Sequence, residues 1–260
     1  MTILDELAEY ARERTRLSRA KTPLQEMRCR AESMEKGELL FEKALKKDGM
    51  SFICEVKKAS PSKGLIAPDF PYLQIAREYE AAGADCISVL TEPKWFLGSD
   101  EYLREISSSV STPCLRKDFT VDEYMIYEAK TLGASAVLLI CSILEKERIA
   151  EYIKIADSLG LSSLVEAHDA HEIEDALDAG ARIIGVNNRN LKDFTVDTEN
   201  SASLRSMVPS DRIFVSESGI TCRGDVASLE AIGADAVLAG EVLMRSADKT
   251  SKLRELKGVL

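Results

Sequence analysis

One short pattern, Gly-Ala followed by a polar or small residue and then an apolar run, recurs four times, beginning at Gly83, Gly133, Gly180 and Gly233. The copies lie 50, 47 and 53 residues apart, too far for a single solenoid repeat and right for a pair of βα units. Four more apolar runs of strand length complete the series, at Phe52–Val56, Pro113–Leu115, Ser163–Val165 and Ile213–Val215. The eight predicted strands are continuous and rich in Val, Ile and Leu, as parallel strands buried on both faces are. Between them the period turns helical, with Leu73, Ile75, Ala76 and Tyr79 before Gly83 and Ile149, Tyr152, Ile153 and Ala156 before Gly160. Helices ending at glycine thus alternate with strands. The expected fold is α/β, a closed (β/α)8 TIM barrel with an N-terminal helical extension. An open doubly wound sheet is the second architecture such alternation allows, but no glycine-rich nucleotide fingerprint accompanies it. Residues 1–48 form the extension packed on the barrel and residues 49–260 the barrel itself, one domain overall.

Composition narrows the function classes. The chain has 260 residues, 34 Lys+Arg against 44 Asp+Glu and a net charge of −10, so neither nucleic acid nor an anionic membrane is expected as the main partner. An anionic small molecule remains compatible where cations converge locally. The longest apolar runs, such as Ala136–Cys141, fall far short of the ~20 residues a membrane helix needs. The N-terminus carries Asp5, Glu6 and Glu9 in place of a signal or transit segment, which leads to an expected cytoplasmic location. Six cysteines without a CxxC pair, Cys29, Cys54, Cys86, Cys114, Cys141 and Cys222, read as reduced, buried small hydrophobes. In the extension, Leu4, Leu7, Ala8 and Ala11 share a face, and Arg12, Arg14, Arg16, Arg19 and Lys21 read as a solvated one.

In a barrel of this kind chemistry takes place at the carboxyl ends of the strands, and here those ends are polar. They read Cys54-Glu55-Val56-Lys57-Lys58, Leu115-Arg116-Lys117-Asp118, Val165-Glu166-Ala167, Val186-Asn187-Asn188-Arg189 and Ser216-Glu217-Ser218-Gly219. Period-two alternation puts Ile53, Glu55 and Lys57 on one face, Leu115 with Lys117, and Val215 with Glu217. A single choice of face therefore aims two lysines and three glutamates, the third being Glu166, into the barrel mouth. A lone charged strand end is simply where a chain meets water. Five such ends of mixed sign form a constellation in which neighbours shift one another's proton affinity, which supplies an acid and a base near neutral pH. The last two βα turns, Glu217-Ser218-Gly219-Ile220 and Ala239-Gly240-Glu241-Val242, suit phosphate, since glycine lets backbone N–H groups approach an anion. His168 and His171 lack a third ligand, so no metal is expected. Alternation points Cys54 away from the cavity, toward packing.

These strand ends carry a resemblance. Glu55 to Gly64, EVKKASPSKG, resembles the signature of the indole-3-glycerol phosphate synthase family, as do LTEPKWFLGS from Leu90, LRKDF from Leu115, LVEAHD from Leu164, IIGVNNRNL from Ile183, VSESGI from Val215 and AGEVLM from Ala239. The likeness runs from about residue 3 to residue 246. It implies a carboxy-lyase of tryptophan biosynthesis that needs no cofactor or metal. In its reaction 1-(2-carboxyphenylamino)-1-deoxyribulose 5-phosphate closes onto its ring and loses carbon dioxide and water to give indole-3-glycerol phosphate. It implies Lys117 as the acid that protonates the ketone, and Glu166 as the group that removes a proton and stabilises the cationic intermediate. Lys57 pairs with the substrate carboxylate or acts as acid in the dehydration, and the resemblance leaves that choice open. Glu55 and Glu217 orient these groups, Asn187 binds a substrate oxygen, and Arg189 fixes charge at the rim. Ser60, Ser218, Gly219, Gly240 and Glu241 match the phosphate side, Glu241 through its backbone N–H. Phe96 and Phe119 match apolar walls around the anthranilate ring, and Pro93 departs from the acidic residue usual in its loop. The extension corresponds to extra helices near the mouth, and other tryptophan-pathway enzymes are the candidate protein partners. Two rivals stand beside this reading. Phosphoribosylanthranilate isomerase would resemble it with a cysteine base ending strand one and an aspartate acid at strand six, where Glu55-Val56-Lys57 and Asn187 stand. A non-catalytic sugar-phosphate-binding barrel would lack one of Lys57, Lys117 and Glu166.

Overall fold

The computed structural model describes residues 2–190 and 194–259. Eight parallel strands close into a barrel in sequence order: β1 (Ser51–Val56), β2 (Cys86–Leu90), β3 (Cys114–Lys117), β4 (Ala136–Ile140), β5 (Ser162–Ala167), β6 (Ile183–Asn187), β7 (Ile213–Glu217) and β8 (Ala236–Ala239). Closure comes from β8 against β1, with Ser51 opposite Ala236 and Cys54 opposite Ala239. The open sheet is thereby excluded. Alternation along each strand sorts the core in two. Ile53, Leu115, Leu138, Leu164, Ile183 and Val215 fill the barrel, while Cys54, Val89, Val137, Val165, Val186 and Phe214 pack outward beneath the helices.

The helices follow from apolar spacing and capping. The extension begins with α1 (Ile3–Lys21), opened by a Thr2–Asp5 capping box and burying Leu7, Ala8, Ala11 and Thr15 along one stripe. It continues through α2 (Leu24–Ser33) and α3 (Leu40–Leu45). Around the barrel, α4 (Tyr72–Ala81) follows β1, α5 (Asp100–Ser109) β2, α6 (Glu123–Thr131) β3, α7 (Lys146–Leu159) β4, α8 (Ala170–Asp178) β5, α9 (Glu199–Leu204) β6 and α10 (Arg223–Ala231) β7. After β8 come the short α11 (Glu241–Arg245) and the terminal α12 (Lys249–Lys257).

The extension divides between the two ends of the barrel. Leu7 and Ala11 of α1 pack with Phe119 at the carboxyl end. Phe41 and Leu45 of α3 lie at the opposite end, where the Phe41 carbonyl accepts from the Cys86 thiol and the Glu42 N–H donates to Ser162 Oγ at 3.1 Å. The expectation that put the whole extension at the mouth is corrected for α3, because its apolar residues plug the amino-terminal end. A further correction concerns the arginines. Arg12 and Arg16 are solvated, but Arg14 reaches the fully buried Asp118 with a bidentate pair at 2.6 and 3.2 Å, and Arg19 meets Asp122 at 2.7 Å. Of the cysteines, Cys54, Cys86 and Cys114 are buried and Cys141 is half-buried, while Cys29 and Cys222 are exposed, against the reading of all six as core.

Candidate active site

A cavity of about 840 Å³ opens at the carboxyl ends of the strands. Glu55, Lys117, Glu166, Asn187 and Glu217 lie within β1, β3, β5, β6 and β7, and Lys57 is one residue beyond β1. All six line the cavity. They stand on strands packed on both sides, which restricts their rotamers and places each head group reproducibly.

Lys117 is the hub. Its ammonium donates to Glu166 Oε2 at 2.9 Å and to Glu217 Oε2 at 2.8 Å. Burial works against the Lys117 charge, but the two carboxylates more than offset it and hold its pKa well above the ordinary lysine range. The carboxylates separate in turn. Burial and the nearby charge of Glu166 push Glu217 up to about 7 against the pull of Lys117. Glu166 is also disfavoured by burial, yet Lys117, His168 and the Asn187 amide outweigh that and hold it below the usual carboxylate range. Two acids sharing one lysine thus end with opposite tendencies, the pattern that separates proton donor from proton acceptor.

Asn187 is oriented from both sides. Its carbonyl oxygen accepts from the Arg189 N–H at 3.0 Å and from the Ser218 hydroxyl at 2.9 Å, so its amide NH2 is left to donate to Glu166 Oε1 at 3.1 Å. Lys57 pairs with Glu55. Glycine has a further role here. A side chain at Gly240 would collide with Glu55 Oε1 at 2.3 Å, and one at Gly185 with Glu217 Oε1 at 2.2 Å. These glycines make room for the carboxylates themselves, a requirement invisible before the strands are brought together.

One flank of the cavity is apolar. The rings of Phe96 and Phe119 lie 6.1 Å apart, roofed by Ile3 and Leu7 of α1. The buried Glu92 carboxylate accepts from the N–H groups of Lys94, Trp95 and Phe96 at 2.8, 2.8 and 2.9 Å and so ties down the loop that contains Pro93. The other flank is polar. Ser60, Ser218, Gly219, Gly240 and Glu241 line it, with Lys63 3.7 Å from the Glu241 carboxylate. Ser218 and Gly219 both have left-handed backbone, φ 68° and 88°. Arg189 lines the same side and donates to the Phe194 carbonyl at 3.2 Å. Leu191, the last residue of the IIGVNNRNL block, lies outside the described residues. Among the described residues no group of three His, Cys, Asp or Glu is arranged to hold a metal ion, and no helix is long and apolar enough to cross a membrane. Cys54 is buried among outward-facing residues, and burial pushes its thiol far above the ordinary range.

Three features escaped sequence reasoning. Ile3 and Leu7 reach the cavity from outside the barrel, and the Arg14–Asp118 pair ties α1 to the residue after Lys117. His168 reads from the sequence only as a candidate metal ligand, though its period-two spacing from Glu166 places it on the same face.

A closed parallel barrel with a lysine held between two carboxylates at its carboxyl-end mouth defines a (β/α)8-barrel enzyme of acid–base chemistry. The chain belongs to the indole-3-glycerol phosphate synthase family, whose sequence profile matches residues 4–256. It is 55% identical over 257 residues to an indole-3-glycerol phosphate synthase of Ruminiclostridium cellulolyticum, covering 98% of this chain and 99% of that one. It is 59% identical over 217 residues to that of Endomicrobium trichonymphae, covering 84% of each. Among solved structures the barrel superposes on a 3-hexulose-6-phosphate synthase with a TM-score of 0.67 at 16% identity, covering 81% of this chain and 100% of that one. It also superposes on the thiamine phosphate pyrophosphorylase of Pyrococcus furiosus with a TM-score of 0.61 at 17% identity, covering 84% and 96%. At that identity the likeness is one of fold.

Proposed function

We propose that the barrel mouth converts 1-(2-carboxyphenylamino)-1-deoxyribulose 5-phosphate to indole-3-glycerol phosphate, as a carboxy-lyase of tryptophan biosynthesis. The observation that carries the assignment of roles is Lys117 held at 2.9 and 2.8 Å between Glu166 and Glu217 beside an aromatic wall. The ring carbon bearing the carboxylate attacks the ketone carbon, and the Lys117 ammonium delivers its proton to the ketone oxygen. The bond to the carboxylate then breaks, and its electron pair restores the ring. The new hydroxyl leaves as water on a proton supplied by Lys57, and Glu166 takes the adjacent C–H proton as the double bond forms. Two protons are given and one is taken, so one is consumed, matching the loss of a carboxylate charge as neutral carbon dioxide. Glu55 positions Lys57, Glu217 positions Lys117, and Asn187 binds a substrate oxygen beside Glu166. Phe96 and Phe119 wall the anthranilate ring. Ser60, Ser218, Gly219, Gly240 and Glu241 form the phosphate side, supported by the two positive-φ residues and the start of α11, with Arg189 at its rim.

The isomerase reading loses its base, since Cys54 faces away from the cavity. The reaction draws on no cofactor. Six free cysteines suit a reducing cytoplasm, where other pathway enzymes are the protein partners to seek.

Given the carboxyphenylamino substrate, the purified protein should produce indole fluorescence and carbon dioxide in equal amounts, and Lys117→Ala should lower kcat by roughly 10²- to 10⁴-fold. Binding without carbon dioxide release, or turnover of phosphoribosylanthranilate alone, would overturn the assignment.

A further inference from the structure

His168 stands one residue beyond β5, with its ring beside Glu166. Its ring lies between carboxylates: Nδ1 is 3.1 Å from Glu172 Oε2, and Nε2 is 3.5 Å from Glu166 Oε1. The clamp is built from three elements. Glu172, in the first turn of α8, also accepts from the His168 N–H at 2.7 Å and from the hydroxyl of Ser142, which itself lies 3.3 Å from Nδ1 in the turn after β4. From α9, Asn200 Nδ2 donates to the His168 carbonyl at 3.2 Å. Nε2 is buried and makes no hydrogen bond.

A neutral imidazole answers only one of the two acids beside it. With its one proton on Nδ1, toward Glu172, it would leave the buried Nε2 without a partner 3.5 Å from a carboxylate oxygen. With the proton on Nε2, it would aim the other lone pair at Glu172. Only the doubly protonated ring gives Nδ1 a donor to Glu172 while placing positive charge beside Glu166. The groups around it agree in sign: Glu166 on β5, Glu172 on α8 and Glu217 on β7 are acids, and Lys117 is the cation on the far side of Glu166. Burial opposes the charge, but the hydrogen bond to Glu172 and the charges of Glu166, Glu172 and Glu217 hold the His168 pKa above the ordinary histidine value.

We propose that His168, carried as an imidazolium between Glu172 and Glu166, is a positioning residue that keeps the Glu166 carboxylate charged and aimed into the cavity once Lys117 has given up its proton. In the resting site Glu166 faces two cations, Lys117 on Oε2 and His168 on Oε1. Proton transfer from Lys117 to substrate removes the first charge at the stage before Glu166 must act as a base. His168 supplies the second, which does not depend on the chemistry. The proposal rests on the assignment of Glu166 to proton removal.

The protonation is measured directly on the wild-type protein by 15N NMR of its two histidines. His168 should show both ring nitrogens protonated at pH 7.5. A neutral His168 at that pH would overturn the proposal. The functional consequence is read from the pH dependence of kcat/KM. In His168→Gln the acid limb should move up by about one pH unit, with about a tenfold loss below the limb and a small change above it. Glu172→Gln, which keeps the ring but removes the negative charge beside it, should move the limb in the same direction. A merely structural role would lower activity evenly across pH. An inactive Glu166→Gln together with an unmoved limb in folded His168→Gln would overturn this proposal alone. Full activity in Glu166→Gln would overturn both the assignment of Glu166 and the proposal.

Discussion

Glu217 shows what a buried site carboxylate does to stability. Its folded pKa, about 7, lies above the ordinary 4.5, so folding favours the protonated acid. The unfavourable contribution is absent below pH ~4.5, where both states hold the proton, grows between the two values, and is complete above about 7. Glu217→Gln resembles the protonated form at every pH. It should therefore be more stable than wild type above neutral pH, by about 1 kcal/mol or more, while kcat falls because Lys117 loses a charged partner. Thermal melts across pH check this: a stability gap that fails to open between the two pKa values would place the strain elsewhere. Glu166 has the opposite sign. Its lowered pKa contributes stability above the ordinary carboxylate value and loses it as pH falls through the folded one.

At the scale of elements, the turn that joins α7 to β5 doubles as the anchor of the extension. Gly160 caps α7 with φ 73°, and the segment between α2 and α3 crosses directly over it. Gly37 N–H donates to the Leu159 carbonyl at 3.0 Å, and Leu39 N–H to the Gly160 carbonyl at 3.2 Å. A Cβ at Gly160 would lie 2.0 Å from the Gly37 oxygen. Gly160→Ala thus combines left-handed backbone with a collision against main chain, and should cost about 2–4 kcal/mol. Urea unfolding should show a lower midpoint for this variant. Gly180→Ala, at a helix end with open space around it, isolates the conformational part of the cost and should lose only about 1 kcal/mol.

For the whole molecule, the decisive contact is the one between α1 and the barrel. Arg14 forms its bidentate pair with Asp118, which also accepts from Thr91 Oγ1 at 2.7 Å. Tyr10 packs edge-on against Trp95, with Lys94 over both rings. Through these contacts Ile3 and Leu7 are held as the apolar roof. Arg14→Ala removes the partner of a buried carboxylate and lets α1 swing from the mouth. The expected result is a several-fold rise in KM with a smaller change in kcat, since α1 lines the apolar flank of the cavity and is separate from the groups proposed to move protons. Steady-state kinetics with unchanged KM would show that the roof is dispensable.

The sequence by itself determined the barrel and the inward face of its strands. Eight apolar runs at regular spacing, with no nucleotide fingerprint, point to a closed barrel over an open doubly wound sheet, and period two then dictates that Glu55, Lys117, Glu166 and Glu217 share a side with Ile53, Leu115, Leu164 and Val215. Such local periodicity is legible because it depends on neighbours two to four residues away. Only the tertiary structure decided that Lys117 bridges Glu166 and Glu217, 49 and 100 residues distant, that Gly185 and Gly240 leave space for carboxylates, that α1 and α3 close opposite ends, and that His168 faces an acid on either side. Each of these depends on which strands become neighbours and how far their staggered ends project. Those distances are set by closure and packing, and no short stretch of chain encodes them.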